Sequence, residues 1–215
     1  ASNLASAQNN IRDNQDYLDT AYHGVEFTAN KRFSKNWQMV AGLTIGKNTG
    51  GVNATGANGQ SGTNDLNDPN FTTFPDGIIG SDSQVAFRLS GSYLLPWDIN
   101  LAGTLISNSG YPYLSFASVT RAQAAAVGVN MTRATQNVFL SNRGDERLDA
   151  VTMLDLRVSK TFRFGSRSIA PQVDFFNITN ADTATGVNST IGGTYLFPSE
   201  ILSPRIIRVG LAINF

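Results

Sequence analysis

Seven runs of alternating apolar and polar residues, each long enough to cross a membrane, restrict what this chain can become more than any other feature. In a strand, successive side chains point to opposite faces, so a period of two gives one apolar and one polar face. A tilted transmembrane strand needs about 9–11 residues, whereas soluble strands run to about 5–6. The runs are 21–33, 36–47, 84–95, 97–108, 152–164, 168–179 and 205–215. In the first, Val25, Phe27, Ala29 and Phe33 alternate with Glu26, Thr28, Asn30 and Arg32. In the last, Ile207, Val209, Leu211, Ile213 and Phe215 alternate with Arg208, Gly210, Ala212 and Asn214. Ile106 falls on the polar side of the fourth run, and Lys160 interrupts the apolar row of the fifth.

The connections alternate too. Ser34-Lys35, Pro96-Trp97-Asp98 and Gly165-Ser166-Arg167 are hairpin-sized, while about 48–83, 109–151 and 180–204 are long. Outer-membrane barrels pair short periplasmic turns with longer external loops. A soluble sandwich has no reason to put all its long loops at one end. The expected fold is therefore all-β: a segment of an antiparallel transmembrane β-barrel with about seven long strands. Phe33, Trp37, Tyr93, Trp97, Phe162, Phe164 and Phe215 lie near the short-turn ends. An interfacial aromatic girdle belongs there; the alternative is the core of a soluble β protein.

No stretch reaches the ~18–20 apolar residues of a transmembrane helix. Charged residues are 15% of the chain, below the ~25% of soluble domains. The net charge of zero offers no reason to expect nucleic acid as a partner. Without cysteine there is no disulfide framework or thiolate metal site, and no cofactor is expected. Residues 1–20 are polar and aperiodic and read as an external loop segment; residues 21–215 read as barrel. Seven strands is odd, and single-chain bacterial barrels have even numbers. An open edge in lipid leaves backbone groups unsatisfied, so either residues 1–20 hide a strand or the chain is the C-terminal part of a larger barrel; their lack of alternation favours the second.

His23 is the single histidine, and no Gly-x-Ser-x-Gly elbow accompanies it, so a Ser-His-Asp hydrolase lacks its parts and no enzyme is expected. Asp65, Asp68 and Asp76 are a calcium candidate, although their spacing departs from the EF-hand and solvated turn residues are the alternative. Glu26, Arg88, Arg157, Arg163, Asp174 and Arg208 share the polar, lumen-facing parity and are candidates to tune the interior or contact a plug. Tyr111, Tyr113 and Phe116 follow the fourth run. They can bind an apolar or sugar-like ligand, or pack the loop against the wall. Residues 120–127 suit a short helix stopped by Gly128.

Five phrases carry a family resemblance: HGVEFTANKRFSKNWQ (23–38), FRLSGSYLLPW (87–97), NRGDERLDAVTMLDLRVSKTFRFG (142–165), VDFFNITN (173–180) and ILSPRIIRVGLAINF (201–215). In this order the chain resembles TonB-dependent outer-membrane receptors, in particular the Oar-like branch. The resemblance implies a twenty-two-stranded barrel around an N-terminal plug, in the outer membrane of Gram-negative bacteria. It implies import of a small substrate (siderophore, oligosaccharide or peptide) driven by the TonB complex. It also implies that Phe215 resembles the insertion signal read by the outer-membrane assembly machinery. Surrounding lipid, the plug and the rest of the barrel would be its partners. The plug and the TonB-contacting segment have no counterpart in these residues, so a non-transporting barrel (an adhesin or assembly scaffold) is the alternative.

Overall fold

A computed structural model describes residues 19–50, 70, 77–78, 83–142 and 144–215. The alternating runs become strands because their β-branched and aromatic side chains stack along a pleated surface. In chain order these are β1 (Thr20–Ser34), β2 (Trp37–Gly50), the two-residue β3 (Gly77–Ile78), β4 (Val85–Leu95) and β5 (Ile99–Asn108). In the next connection follow β6 (Pro112–Tyr113), β7 (Phe116–Thr120), helix α1 (Arg121–Ala126), β8 (Thr135–Phe139) and β9 (Glu146–Arg147). The chain then returns as β10 (Val151–Lys160), β11 (Phe162–Phe164) and β12 (Arg167–Phe176). The last connection holds β13 (Ala184–Val187) and β14 (Pro198–Ile201), and β15 (Ile206–Asn214) closes the sequence.

The long strands form one antiparallel meander in the order β1-β2-β4-β5-β10-β12-β15, with β11 continuing β10 along β12. The register of β10 and β11 against β12 is the same, Ser159 facing Gln172 and Phe162 facing Ile169. Pairing lapses over two positions, where Pro171, which has no N–H, stands opposite Lys160 and Ala170 opposite Thr161. Lys35 and Asn36 both have positive φ, 50° and 68°, as a two-residue type I′ hairpin requires. Gly165, at φ 63°, takes the first position of its turn.

The second strand runs on to Gly50 rather than 47, and two further boundaries differ from expectation. The fourth strand begins at Ile99 rather than 97, because Trp97 and Asp98 are left-handed, at φ 65° and 57°. The sixth ends at Phe176 rather than 179, because Asn177 leaves the extended region at φ 47°. Neither departure involves a change in hydrophobic alternation.

The sheet has no apolar core of its own. Among the described residues the buried apolar side chains include only Ile78, Pro112, Leu114 and Ala124, none in a long strand. Val25, Phe27, Phe162, Ile207, Val209 and Leu211 are exposed and share one face by register. Water does not tolerate a continuous apolar surface of this size on a free-standing protein; hydrocarbon does. The one buried residue in the seven long strands is a carboxylate, Asp174, on the other face.

The connections at the far end fold onto one another. Helix α1 starts at a capping box in which Thr120 accepts from the Gln123 amide and Gln123 returns the bond. It stops at Gly128, φ 81°. The hairpin β7–β8 adjoins it, and the pair β6–β9 lies in the same connection; no hydrophobic alternation marks these strands.

Candidate functional site

The inner, polar face carries one continuous cross-strand row: Gln38, Ser92, Ala102, Arg157, Asp174 and Arg208. The two-residue turn at Gly165-Ser166 places Arg157 directly opposite Asp174, and β15 brings Arg208 to its other side. Arg157 Nε donates to Asp174 Oδ1, and the Arg208 guanidinium donates to Oδ2 at 2.8–2.9 Å. Arg208 also stacks over the Phe176 ring at 5.0 Å. Asp174 is enclosed while both arginines remain about half exposed. One carboxylate thus orders two guanidiniums and leaves a net positive charge facing the interior. Beside the row lies a hollow of about 670 Å³ lined by Asn30, Gln38, Ser90, Thr104, Asp155 and Arg157 among others.

Of the six lumen-facing charges expected from parity, these three meet. Arg163 instead pairs with Asp98 in the turn beside it. Glu26 faces Thr44, and Arg88 faces Gly42 and Ile106, so neither joins the row. His23 stands opposite Lys47 near the long-loop end. Phe33, Trp37, Tyr93, Trp97, Phe162 and Phe164 gather at the short-turn end, with Trp37 and Tyr93 as register partners. Asp65, Asp68 and Asp76 lie outside the described residues.

Above the wall, the connections are tied by one carboxylate that sequence reading did not single out. Glu146 Oε2 accepts from the Ser115 amide at 3.2 Å, the Ser115 hydroxyl at 2.5 Å and the Ser141 hydroxyl at 3.2 Å. Ser115 Oγ also meets the Tyr195 hydroxyl at 2.6 Å, joining the β5–β10 and β12–β15 connections. Phe116 N donates to Ser189 O and Ile191 N returns to Phe116 O. Asn70 also meets β8: its side-chain amide donates to Asn137 O and accepts from Phe139 N. Leu114 and Pro112 are fully enclosed beneath.

Gly110 is buried against Leu148, so close that an added Cβ would stand 1.6 Å from the Leu148 carbonyl oxygen. Tyr111, Tyr113 and Phe116 are half-buried within this cap. Burial, with Glu146 and Tyr195 near, raises the Tyr113 phenol above its ordinary pKa. Asn177 anchors the base of the last connection. Its side chain donates to Ala181 O and Ser203 O and accepts from Ala181 N, while its own amide donates to Asp155 Oδ1. The signals for Glu146 and Asn177 were in the phrases NRGDERLD and FFNITN, but nothing periodic marks them.

An apolar outer face, a polar inner face, short turns at one end and long connections at the other define a segment of an antiparallel transmembrane β-barrel of the outer-membrane type. Among solved structures, the chain is similar to the outer membrane transporter YddB from Escherichia coli, with a TM-score of 0.51 and 14% sequence identity over 89% of this chain. It spans 24% of that transporter's length. No family profile and no curated protein matches the sequence.

Proposed function

We propose that this chain is the C-terminal part of the barrel of a TonB-dependent transporter of the Oar-like branch, which imports a nutrient across the outer membrane of a Gram-negative bacterium. The observation that carries the reading is the inner row, in which a buried Asp174 orders Arg157 and Arg208 on a wall whose other side is suited only to lipid. Fixed charge on the inner wall suits an interior that meets a plug. Further strands complete a twenty-two-stranded barrel and satisfy the free edges of β1 and β15. The cap built around Glu146 forms part of the substrate entrance, and Phe215 serves as the assembly signal. The substrate is a siderophore, an oligosaccharide or a peptide, and the role is transport rather than catalysis.

The test is growth of a strain lacking the whole gene on ferric siderophores, oligosaccharides and peptides supplied singly as sources of iron, carbon or nitrogen. The reading predicts loss of uptake for one class, reproduced by disabling the TonB complex. Uptake that is lost yet indifferent to TonB, or unchanged for all three classes, would contradict it.

A further inference from the structure

Halfway along the outer face, two glycines face each other: Gly91 of β4 and Gly103 of β5. Met39 and Leu156 flank them in the same row. Leu89, Leu105 and Leu154 stand in the row towards the long-loop end, and Tyr93 and Leu101 in the row towards the turns. The missing side chains leave an apolar hollow of about 540 Å³ on this face. An empty hollow forfeits dispersion contacts on every lining atom, so hydrocarbon fills it.

Two rows nearer the turns, Lys160 of β10 has the same outward parity as Leu156 and faces Ile99. Its ammonium lies over the Phe162 ring at 5.1 Å, and among the described residues it has no carboxylate or hydrogen-bond acceptor. Lys31, also outward-facing near the turns, is different. Its ammonium is bonded to the Ser34 and Trp37 carbonyl oxygens and the Ser34 hydroxyl. Only Lys160 of this pair keeps a free charge at the aromatic belt, where a snorkelling lysine meets headgroups. From Lys160 to the Gly91–Gly103 row is four residues, about 13 Å, within the ~15 Å depth of one leaflet.

We propose that this surface is a specific site for an anionic glycerophospholipid of the periplasmic leaflet. Its phosphate pairs with Lys160 and one acyl chain lies in the Gly91–Gly103 hollow. The site rests on the barrel reading for its orientation in the membrane.

The test is native mass spectrometry of the full-length detergent-purified protein, with phosphatidylglycerol or phosphatidylethanolamine of equal acyl length added. Wild type retains one tightly held phosphatidylglycerol. Lys160→Gln loses that preference by roughly fivefold, the factor one lysine contributes at an anionic surface. Gly103→Leu fills the hollow and releases both lipids. Its Cβ would meet the mobile end of Leu156 at 2.9 Å; should it fail to assemble, Leu101→Trp blocks the same hollow from its exposed rim. Each variant's heat-dependent gel mobility reports whether the barrel has formed. Equal retention and equal preference in wild type, Lys160→Gln and the filled variant would overturn the site. A wild-type protein with no heat-dependent mobility would instead overturn the barrel.

Discussion

In the seven long strands the only buried side chain is a carboxylate, Asp174; in the connections above them Pro112, Leu114, Ser115 and Asn177 are all enclosed. The wall is held by ladder hydrogen bonds and by a solvent it does not contain, the lipid on its outer face. The cap has a core a few residues deep and a carboxylate hub at Glu146. Among the described residues the wall's long strands enclose no apolar side chain, whereas the cap encloses a few, Pro112, Leu114 and Ala124, and leaves others such as Val127, Leu140 and Phe197 exposed.

That contrast breaks most sharply at Gly110. In the cap, close approach of two backbones leaves no room for a methyl, so Gly110→Ala separates residues 110 and 148. The expected cost is about 3 kcal/mol or more, confined to the cap. Limited proteolysis would cut between 110 and 150 while the barrel's heat-dependent mobility is unchanged.

The wall answers to a paired substitution on adjacent residues of β4. Leu89→Arg places a charge in mid-strand on the lipid face and costs about 2–4 kcal/mol. Ser90→Arg, one residue on, faces the interior and is nearly neutral. Urea unfolding of the reconstituted barrel reads both, and equal costs would remove the assignment of faces.

Asn177 is the joint between the regions. Asn177→Ala removes its side-chain hydrogen bonds to Ala181 and Ser203 and puts alanine at φ 47°, for about 2–3 kcal/mol. Faster amide exchange at 178–205 with an unchanged β12–β15 ladder would place the loss in the cap.

The smallest effect is alkaline. The Tyr113 phenol is neutral in the folded cap above its ordinary value of 10.0. Its contribution is therefore complete below that value and is lost as pH rises through the raised one. The cap loosens above about pH 10, and Tyr113→Phe weakens that dependence; proteolysis across a pH series measures it.

The wall was legible because its signal is local and periodic. Alternation placed the strands within a few residues, and parity put Glu26, Arg88, Arg157, Arg163, Asp174 and Arg208 on one face. It failed at Trp97 and Asn177, where a backbone dihedral rather than a hydrophobic pattern ends the strand. Parity alone could not say which charges meet. The tight turn at 165–166 sets Arg157 against Asp174, but Arg208 arrives across the whole β12–β15 connection, whose register no local rule supplies. The cap was least legible. Ser115 and Tyr195 are far apart in sequence, and a serine, a glutamate and a tyrosine that find one another carry no period.

The most direct test of the account is a scan of single cysteines along β4, in a chain that has none of its own. Each position from 86 to 93 carries a nitroxide label in the reconstituted full-length barrel, and collision with oxygen is compared with collision with a water-soluble nickel chelate. The account predicts strict alternation: oxygen at 87, 89, 91 and 93, and nickel at 86, 88, 90 and 92. Nickel access at every position, or access without a period of two, would contradict a strand that faces lipid on one side and an aqueous interior on the other.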